Sequence, residues 1–162
     1  MKIFGLAGWS GAGKTTLVEG LLPQFTARGL RVSTMKHAHH AFDIDQPGKD
    51  SYRHRTAGAT EVMVVSANRW AHIHELRGMQ EPSLEELVAR MTPVDLLLVE
   101  GFKRHAHPKL EVYRAAVGKP PLWREDADIV AVAGDASDGL TLPLFALDDH
   151  AAIANFIVER IN

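Results

Sequence analysis

The sequence predicts an α/β fold in which a mostly parallel β-sheet is flanked by helices. Three observations lead to this fold class. Short runs rich in β-forming residues alternate with runs of helical periodicity along the chain. A glycine-rich turn joins the first strand to the first helix. Residues 95–99 contain a continuous apolar run, which is typical of a strand covered on both faces in a parallel sheet.

The chain opens with a strand, a glycine loop and a helix. Residues 3–7 have the composition of a buried strand. After the loop, Leu17, Leu21, Leu22 and Phe25 follow helical spacing, and Gly29 offers a C-terminal stop. Further strands are predicted at residues 30–35, 61–66, 95–99, 109–114, 128–133 and 144–146.

Two more helices and one long loop complete the pattern. Ser83 and Glu86 have capping-box spacing, which predicts a helix between the strands at 61–66 and 95–99. Asp148 or Asp149 caps a final helix, whose apolar face is formed by Ile153, Phe156, Ile157 and Ile161. Residues 37–49 show neither period and include a Pro-Gly pair, so we expect a long loop of the functional kind.

Composition limits the class of protein. A length of 162 residues predicts a single domain spanning residues 1–162, with one active site. The net charge of −2 argues against a nucleic-acid partner. The absence of cysteine excludes disulfides, cysteine zinc sites, iron–sulfur clusters and thiol nucleophiles. No apolar run resembles a signal peptide or a membrane span, so we expect a cytoplasmic protein with no membrane partner.

Residues 8–15 form the motif that carries the chemistry. Their sequence, Gly-Trp-Ser-Gly-Ala-Gly-Lys-Thr, matches G-x-x-x-x-G-K-[ST] at every fixed position, between a predicted strand and a predicted helix. This context predicts a phosphate-loop (P-loop) NTPase. Backbone N–H groups of the loop and the helix N-terminus would surround phosphate oxygens. The loop residues expected to bind nucleotide are Gly8, Ser10, Gly11, Ala12 and Gly13.

The side chains that follow the loop have separate expected roles. Lys14 would reach the β- and γ-phosphates, Thr15 would ligate Mg²⁺, and Thr16 would donate to a phosphate oxygen further back. Glu100 ends a buried strand and is the expected carboxylate for Mg²⁺, unless it only ends that strand at the surface. Gly101 would let its backbone N–H approach a γ-phosphate. Asp95 opens the same strand and belongs at the opposite end of the sheet.

Seven of the nine histidines fall into three groups. His37, His39 and His40 begin the long loop, where they would contact phosphate or ribose or, alternatively, hold a metal ion. His72 and His74 would share one strand face, and His105 with His107 would lie in a polar loop. We expect the last two groups to be solvated side chains rather than ligands.

Several stretches together resemble the MobB family of molybdopterin-guanine dinucleotide biosynthesis adapter proteins. They are residues 8–15, 36–40, 47–51, 57–59 and 98–103. The resemblance runs through most of the chain. It implies a GTP-binding, weakly hydrolysing homodimer that works with MobA, the nucleotidyltransferase that attaches GMP to molybdenum cofactor. It also implies similarity to the dimeric GTPases that mature metal cofactors.

The choice of base remains open at this point. The sequence contains no Asn-Lys-x-Asp motif to read guanine. Asp135, after the strand at 128–133, could accept hydrogen bonds from guanine, or it could be an ordinary turn aspartate. Guanine and adenine are therefore not distinguished by the residues alone.

The chain is at most a weak GTPase, because neither a catalytic base nor an arginine finger is evident. Arg53 is the weak candidate for such a finger.

Two other functions compete with the adapter. A small-molecule kinase would use Asp45 or Asp50 as base and a lid with several arginines, of which only Arg53 and Arg55 are close in sequence. A metallochaperone would use the histidine groups.

Overall fold

The computed structural model describes residues 1–38, 42–102, 105–136 and 139–161. In these ranges the chain forms eight strands, four α-helices and one short 3₁₀ turn, Ala115–Val117. The strands are β1 (Lys2–Ala7), β2 (Val32–Lys36), β3 (Glu61–Val65), β4 (Trp70–His74), β5 (Leu96–Glu100), β6 (Lys109–Tyr113), β7 (Ile129–Gly134) and β8 (Leu144–Phe145). The helices are α1 (Lys14–Ala27), α2 (Asp50–Thr56), α3 (Leu84–Ala89) and α4 (His150–Ile161).

The chain divides into two compact units. Unit 1 comprises Met1–His37 and Met91–Asn162, and unit 2 comprises Ala38–Arg90. Unit 1 contains a six-stranded sheet of order β2-β5-β1-β6-β7-β8 in which every neighbouring pair is parallel. The predicted parallel sheet with helices is therefore confirmed. Because β1 lies between β5 and β6, the residues that follow β1 emerge near the middle of the sheet.

Apolar side chains of α1, α4 and the central strands form the core of unit 1. Leu17, Leu21 and Phe25 of α1 are buried at helical spacing, as are Ile153 and Ile157 of α4. Burying a side chain of this size contributes roughly 2 kcal/mol. Of the two predicted caps for α4, Asp149 is the one used, since its Oδ1 accepts a hydrogen bond from the Ala152 N–H at 3.0 Å. The predicted helices at both ends of the chain are confirmed.

Unit 2 contains α2, α3 and an antiparallel hairpin of β3 and β4. Here one prediction was wrong, because the run at 61–66 forms no part of the parallel sheet. Its Ser66 closes a tight turn: the Ser66 N–H donates to the Arg69 carbonyl at 2.9 Å, and the Ser66 hydroxyl accepts from the Arg69 N–H at 3.2 Å. A turn this short returns the chain antiparallel to itself, so β3 pairs with the next strand.

The predicted capping box of α3 is present in unit 2. The Glu86 N–H donates to Ser83 Oγ at 3.2 Å, and the Ser83 N–H donates to Glu86 Oε2 at 2.8 Å. Such a cap contributes about 1 kcal/mol to a helix of this kind. The sequence did not predict α2, which begins at Asp50 directly after the long loop.

Candidate functional site

The candidate site of unit 1 lies where the central strands end. β1 ends at Ala7, the loop follows, and α1 begins at Lys14. β6 pairs with β1 so that Ala7 is opposite Glu111, and β6 therefore continues alongside the start of the loop. β5 flanks β1 on the other side, with Glu100 opposite Leu6. The carboxyl ends of parallel strands are where ligands bind in open α/β sheets.

The loop has the backbone conformation that its glycines allow. Gly8, Gly11 and Gly13 all have positive φ, at 138°, 81° and 105°. At Gly8 a β-carbon would also lie 2.5 Å from the Val112 carbonyl oxygen, so this position has no room for a side chain. The predicted tight turn is thus imposed at Gly8 by both backbone angle and packing.

The N-terminus of α1 is arranged to receive an anion. Gly13 is its N-cap residue and supplies no capping side chain, and the first turn carries no acidic residue. Thr15 and Thr16 in that turn are exposed, and so is Ser10 in the loop. Lys14 Nζ donates to the Gly8 and Trp9 carbonyls, both at 3.0 Å, so its charge is held over the loop. N–H donors, a helix N-terminus and an ammonium group together fit a polyphosphate.

Glu100 lies at the end of β5 between a lysine and the loop strand. It is in register with Leu6 of β1 and with Lys36 of β2, and its carboxylate is 3.6 Å from Lys36 Nζ. The next residue, Gly101, has a φ of 91°, and a β-carbon there would lie 3.0 Å from the His37 carbonyl oxygen. Asp95 is at the other end of β5, as predicted. There it forms an ion pair with Arg31 at 3.1 Å.

His105 and His107 lie in a loop, as predicted, but both are partly buried, so the prediction that they are solvated was wrong. His105 stands edge-on to Phe102, which in turn stands edge-on to His37, with ring centroids 5.4 Å apart in each pair. His107 packs over Gly5 of β1, where its ring fills the space that a β-carbon would occupy. Burial lowers the pKa of His107 to about 4, helped by the nearby Lys109 ammonium. This packing could not be predicted from the sequence, because it depends on Gly5, which lies 102 positions away along the chain.

The metal alternative for the first histidine group falls mostly outside the described residues, since His39 and His40 are not among them. In the ranges that are described, no group of three or more histidine or acidic side chains could hold a metal ion. His72 and His74 do share one face of β4, as predicted, and both contact Glu61, at 3.3 Å and 2.5 Å. The histidines lower the pKa of that carboxyl, His74 the more strongly.

Asp135 follows β7 and is exposed at the same edge of the sheet. Its Oδ1 accepts a hydrogen bond from the Ala115 N–H at 2.8 Å. One carboxylate oxygen therefore ties the segment after β6 to the segment after β7. This contact gives Asp135 a structural role. It does not distinguish the two hypotheses made from the sequence, a guanine-binding residue and an ordinary turn aspartate.

The acids and arginines proposed for a kinase are bound to each other within unit 2. Arg55 contacts Asp43 at 2.6 Å, Glu75 at 2.9 Å and Asp45 at 3.6 Å. The pKa of Arg55 is raised by Glu75 and Asp43, and the pKa of Asp43 is lowered by the Asp45 N–H and by Arg55. The other pair, Arg53 and Asp50, is exposed and 3.9 Å apart on α2. Arg55 thus holds the long loop together instead of standing free in a lid.

Three residues in or beside the loop make contacts that were not predicted from the sequence. Arg114 Nε donates to the Ala12 carbonyl at 3.1 Å, and Trp9 Nε1 donates to the Pro120 carbonyl at 2.7 Å. Glu111 is fully buried, and its carboxylate accepts from the N–H groups of Leu122 and Trp123 at 2.8 to 2.9 Å. The sequence Lys-Leu-Glu-Val-Tyr of β6 alternates polar and apolar residues, which does not reveal that Glu111 is buried.

A family model supplies the decisive comparison. The model described as MobB, molybdopterin guanine dinucleotide synthesis protein B, matches residues 3–135, which include the loop, Glu100 and Asp135. The chain belongs to the MobB family. The match covers well over half of the sequence, and it spans both units.

Individual MobB proteins agree with this assignment. The chain is 41% identical to the molybdopterin-guanine dinucleotide biosynthesis adapter protein of Escherichia coli K12, over 98% of this chain and 93% of that protein. It is 39% identical to the protein of the same name from Haemophilus influenzae, over 97% and 88%. The crystal structure of a molybdopterin-guanine biosynthesis protein B superposes with a TM-score of 0.76 at 26% identity, covering 98% and 99% of the two chains.

The helices of this MobB-family chain are short. Among the described residues, none is long and apolar enough to span a bilayer.

Proposed function

We propose that this MobB-family chain is a GTP-binding adapter in molybdenum cofactor biosynthesis that assists MobA in forming molybdopterin guanine dinucleotide. The relatives from Escherichia coli and Haemophilus influenzae are named as adapter proteins of this biosynthesis, which supports the same role here. The single observation that carries the nucleotide part is the phosphate loop, with three positive-φ glycines, an uncapped helix N-terminus and Lys14 held over it.

The phosphate site in this proposal consists of backbone and short side chains. Nucleotide would be bound by Gly8, Ser10, Gly11, Ala12, Gly13, Lys14, Thr15, Thr16 and Gly101, with Asp135 at the base. Thr15 and Glu100 supply a hydroxyl and a carboxylate, the oxygen donors that Mg²⁺ prefers. When bound, Mg²⁺ would neutralise charge on the β- and γ-phosphates. Residues 1–162 would act as one functional domain, because the loop motif occurs once in the sequence.

Hydrolysis would be weak in the isolated protein. Arg53, the arginine considered from the sequence, belongs to unit 2 and contacts Asp50. Among the described residues of unit 1, no side chain is identified as a base for water. Binding, and not turnover, would then control the partner. We further propose that the protein works in the cytoplasm as a homodimer.

The first test compares nucleotides and one lysine. We expect calorimetry to detect GTP binding that exceeds ATP binding, with release of phosphate far slower than one turnover per second. Lys14→Ala should weaken GTP binding by about ten- to a hundredfold, since it removes a charged hydrogen-bond donor to phosphate. The matched control is Lys2→Ala, at the opposite end of β1, which should leave the affinity unchanged.

The outcomes separate the candidate functions. Tighter binding of ATP, with rapid phosphate transfer to an added acceptor, would indicate a kinase. An unchanged affinity in a folded Lys14→Ala protein would refute the phosphate-loop assignment. Addition of the protein and GTP to MobA should increase the formation of molybdopterin guanine dinucleotide, and a lack of any increase would argue against the adapter role.

A further inference from the structure

Arg114 is the first residue after β6 and contacts the phosphate loop. Its Nε donates to the Ala12 carbonyl oxygen at 3.1 Å. Its Nε and Nη2 are 3.6 Å and 3.7 Å from the point where a β-carbon of Gly13 would stand. The guanidinium therefore contacts the turn at the peptide that joins Ala12 to Gly13.

The contacted peptide has two ends with different tasks. In a trans peptide the C=O of one residue and the N–H of the next point in opposite directions. Because Arg114 binds the Ala12 carbonyl, the Gly13 N–H points away from the guanidinium. That N–H is the last one before the first helical residue, Lys14, and belongs to the set that would surround a phosphate.

We propose that Arg114 is the positioning residue of this phosphate site: it fixes the Ala12–Gly13 peptide in the orientation that aims the Gly13 N–H at a bound phosphate. The inference rests on the proposed function, because it assumes that the loop binds polyphosphate. A charged donor also polarises the peptide, which strengthens the N–H at its other end.

The position of Arg114 is fixed by the backbone around it. The next residue, Ala115, donates its N–H to Asp135, and the buried Glu111 accepts from Leu122 and Trp123. Trp9, inside the loop, donates to Pro120 of the same segment. The segment 114–123 is thus tied to β7, to β6 and to the loop itself. These contacts restrict the backbone at Arg114, which keeps its guanidinium close to the Ala12 carbonyl.

The contact matters because one side of the contacted peptide is a glycine. Ala12 is buried in the core, but Gly13 restricts the Ala12–Gly13 peptide less than any other residue would, since glycine populates both signs of φ. Apparent affinity falls in proportion to the fraction of molecules with the binding conformation. We therefore expect Arg114→Ala to weaken phosphate binding about tenfold.

The experiment compares Arg114→Ala and Arg114→Lys with the wild-type protein, using GTP and inorganic pyrophosphate as probes in calorimetry. The proposal predicts an equal loss for both probes, because the contact acts on the phosphate cradle and not on the base. Arg114→Lys should recover part of the affinity, since an ammonium can also donate to the Ala12 carbonyl. The ³¹P resonances of bound pyrophosphate should shift in Arg114→Ala. The control is Arg160→Ala, an exposed arginine in the last turn of α4, which should change none of these.

Every outcome is informative. Failure of the wild-type protein to bind either probe would refute the proposed function and this inference with it. Binding of both probes by Arg114→Ala with wild-type affinity would overturn the inference alone, as would a loss confined to GTP. If circular dichroism shows that Arg114→Ala does not fold, Arg114→Gln decides: weaker pyrophosphate binding supports the positioning role and unchanged binding overturns it.

Discussion

At the scale of single residues, Glu100 makes a contact that Mg²⁺ would have to share. Its carboxylate lies 3.6 Å from Lys36 Nζ and is only 16% exposed. Glu100→Gln keeps the shape of this side chain and removes its charge. We expect the magnesium-dependent part of GTP binding to weaken about tenfold, while binding measured with a chelator changes little, because one of few anionic ligands is lost.

Titration of GTP into both proteins, with magnesium and with a chelator, measures this difference. Asp50→Asn is the control, since Asp50 is an exposed carboxylate on α2. Equal losses with and without magnesium in Glu100→Gln would show that this carboxylate does not hold the ion. A magnesium-specific loss in Asp50→Asn would instead identify Asp50 as the carboxylate that holds the ion.

His107 makes stability depend on pH in a window set by its burial. Its pKa in the folded protein is lowered to about 4 from an ordinary value of 6.5. Between these values the unfolded chain binds the additional proton, so the free energy of unfolding falls as the pH is lowered from 6.5 toward 4. Below about 4 both states are protonated, and this contribution is lost.

Denaturant unfolding of the wild-type protein and of His107→Gln measures this effect. In the window the variant should show a shallower dependence of stability on pH, by up to about one proton. Above neutral pH the two slopes should coincide, which serves as the internal control. Parallel slopes at every pH would mean that His107 is protonated alike in folded and unfolded protein.

Residues with a fixed spacing were predictable from sequence, and residues brought in by pairing of distant strands were not. Lys14 and Thr15 follow from the motif, and Glu100 from the end of an apolar run. Arg114 reaches Ala12 only because β6 pairs with β1, and a single sequence does not reveal that neighbour. The burial of His107 against Gly5 depends on the same pairing.

At the scale of elements, exposed apolar side chains lie toward the turn of the β3–β4 hairpin, on the face that also carries Glu61, His72 and His74. Met63, Val65 and Trp70 are 58%, 68% and 63% exposed, and in the antiparallel register Val65 is opposite Trp70. A hairpin of two strands is only marginally stable in water, and large exposed apolar patches mark interaction sites. We therefore predict that this face contributes to the proposed homodimer, and that Val65→Lys weakens dimerisation at least about tenfold.

Light scattering coupled to size exclusion, over a range of protein concentrations, measures this effect. Glu159→Lys, at an exposed position of α4, adds positive charge elsewhere and should leave the oligomeric state unchanged. A wild-type protein that stays monomeric at all concentrations would contradict the homodimer. A Val65→Lys protein with wild-type association would direct attention to another surface.

The elements were predicted better than their partners. Val62 and its neighbours have strand composition, and a strand was correctly expected there. Strand composition does not state which strand lies alongside, so β3 was assigned to the wrong sheet. The helix α2 escaped prediction because it is seven residues long and has no buried side chain, which leaves no apolar periodicity to detect.

At the scale of the whole molecule, the two units differ in how much apolar surface they bury. Among the described residues, the buried apolar side chains of unit 2 are Val62 and Leu84, and those of the six-stranded sheet, α1 and α4 belong to unit 1. Local opening is easiest where few apolar contacts must be broken. Hydrogen exchange should therefore be slowest in β1 and β5 and markedly faster in β3 and β4.

Mass spectrometry of exchanged peptides at low and high protein concentration checks this expectation. If the hairpin forms a dimer, its protection should increase with concentration, while that of β1 stays constant. Equal protection of β3 and β5 in the dilute protein would show that the chain opens as one cooperative unit.

The order of the strands also has a consequence for the sequence of events during synthesis. β1 is synthesised well before its neighbours β5 and β6, which begin at Leu96 and Lys109. A growing chain that already contains residues 8–15 has neither Glu100 nor Arg114, and β2 waits for β5 before it can join the sheet. Contacts between parts so distant in sequence form slowly. The nucleotide motif thus leaves the ribosome well before the residues that surround it, so the proposed GTP binding would select chains whose synthesis has passed Arg114.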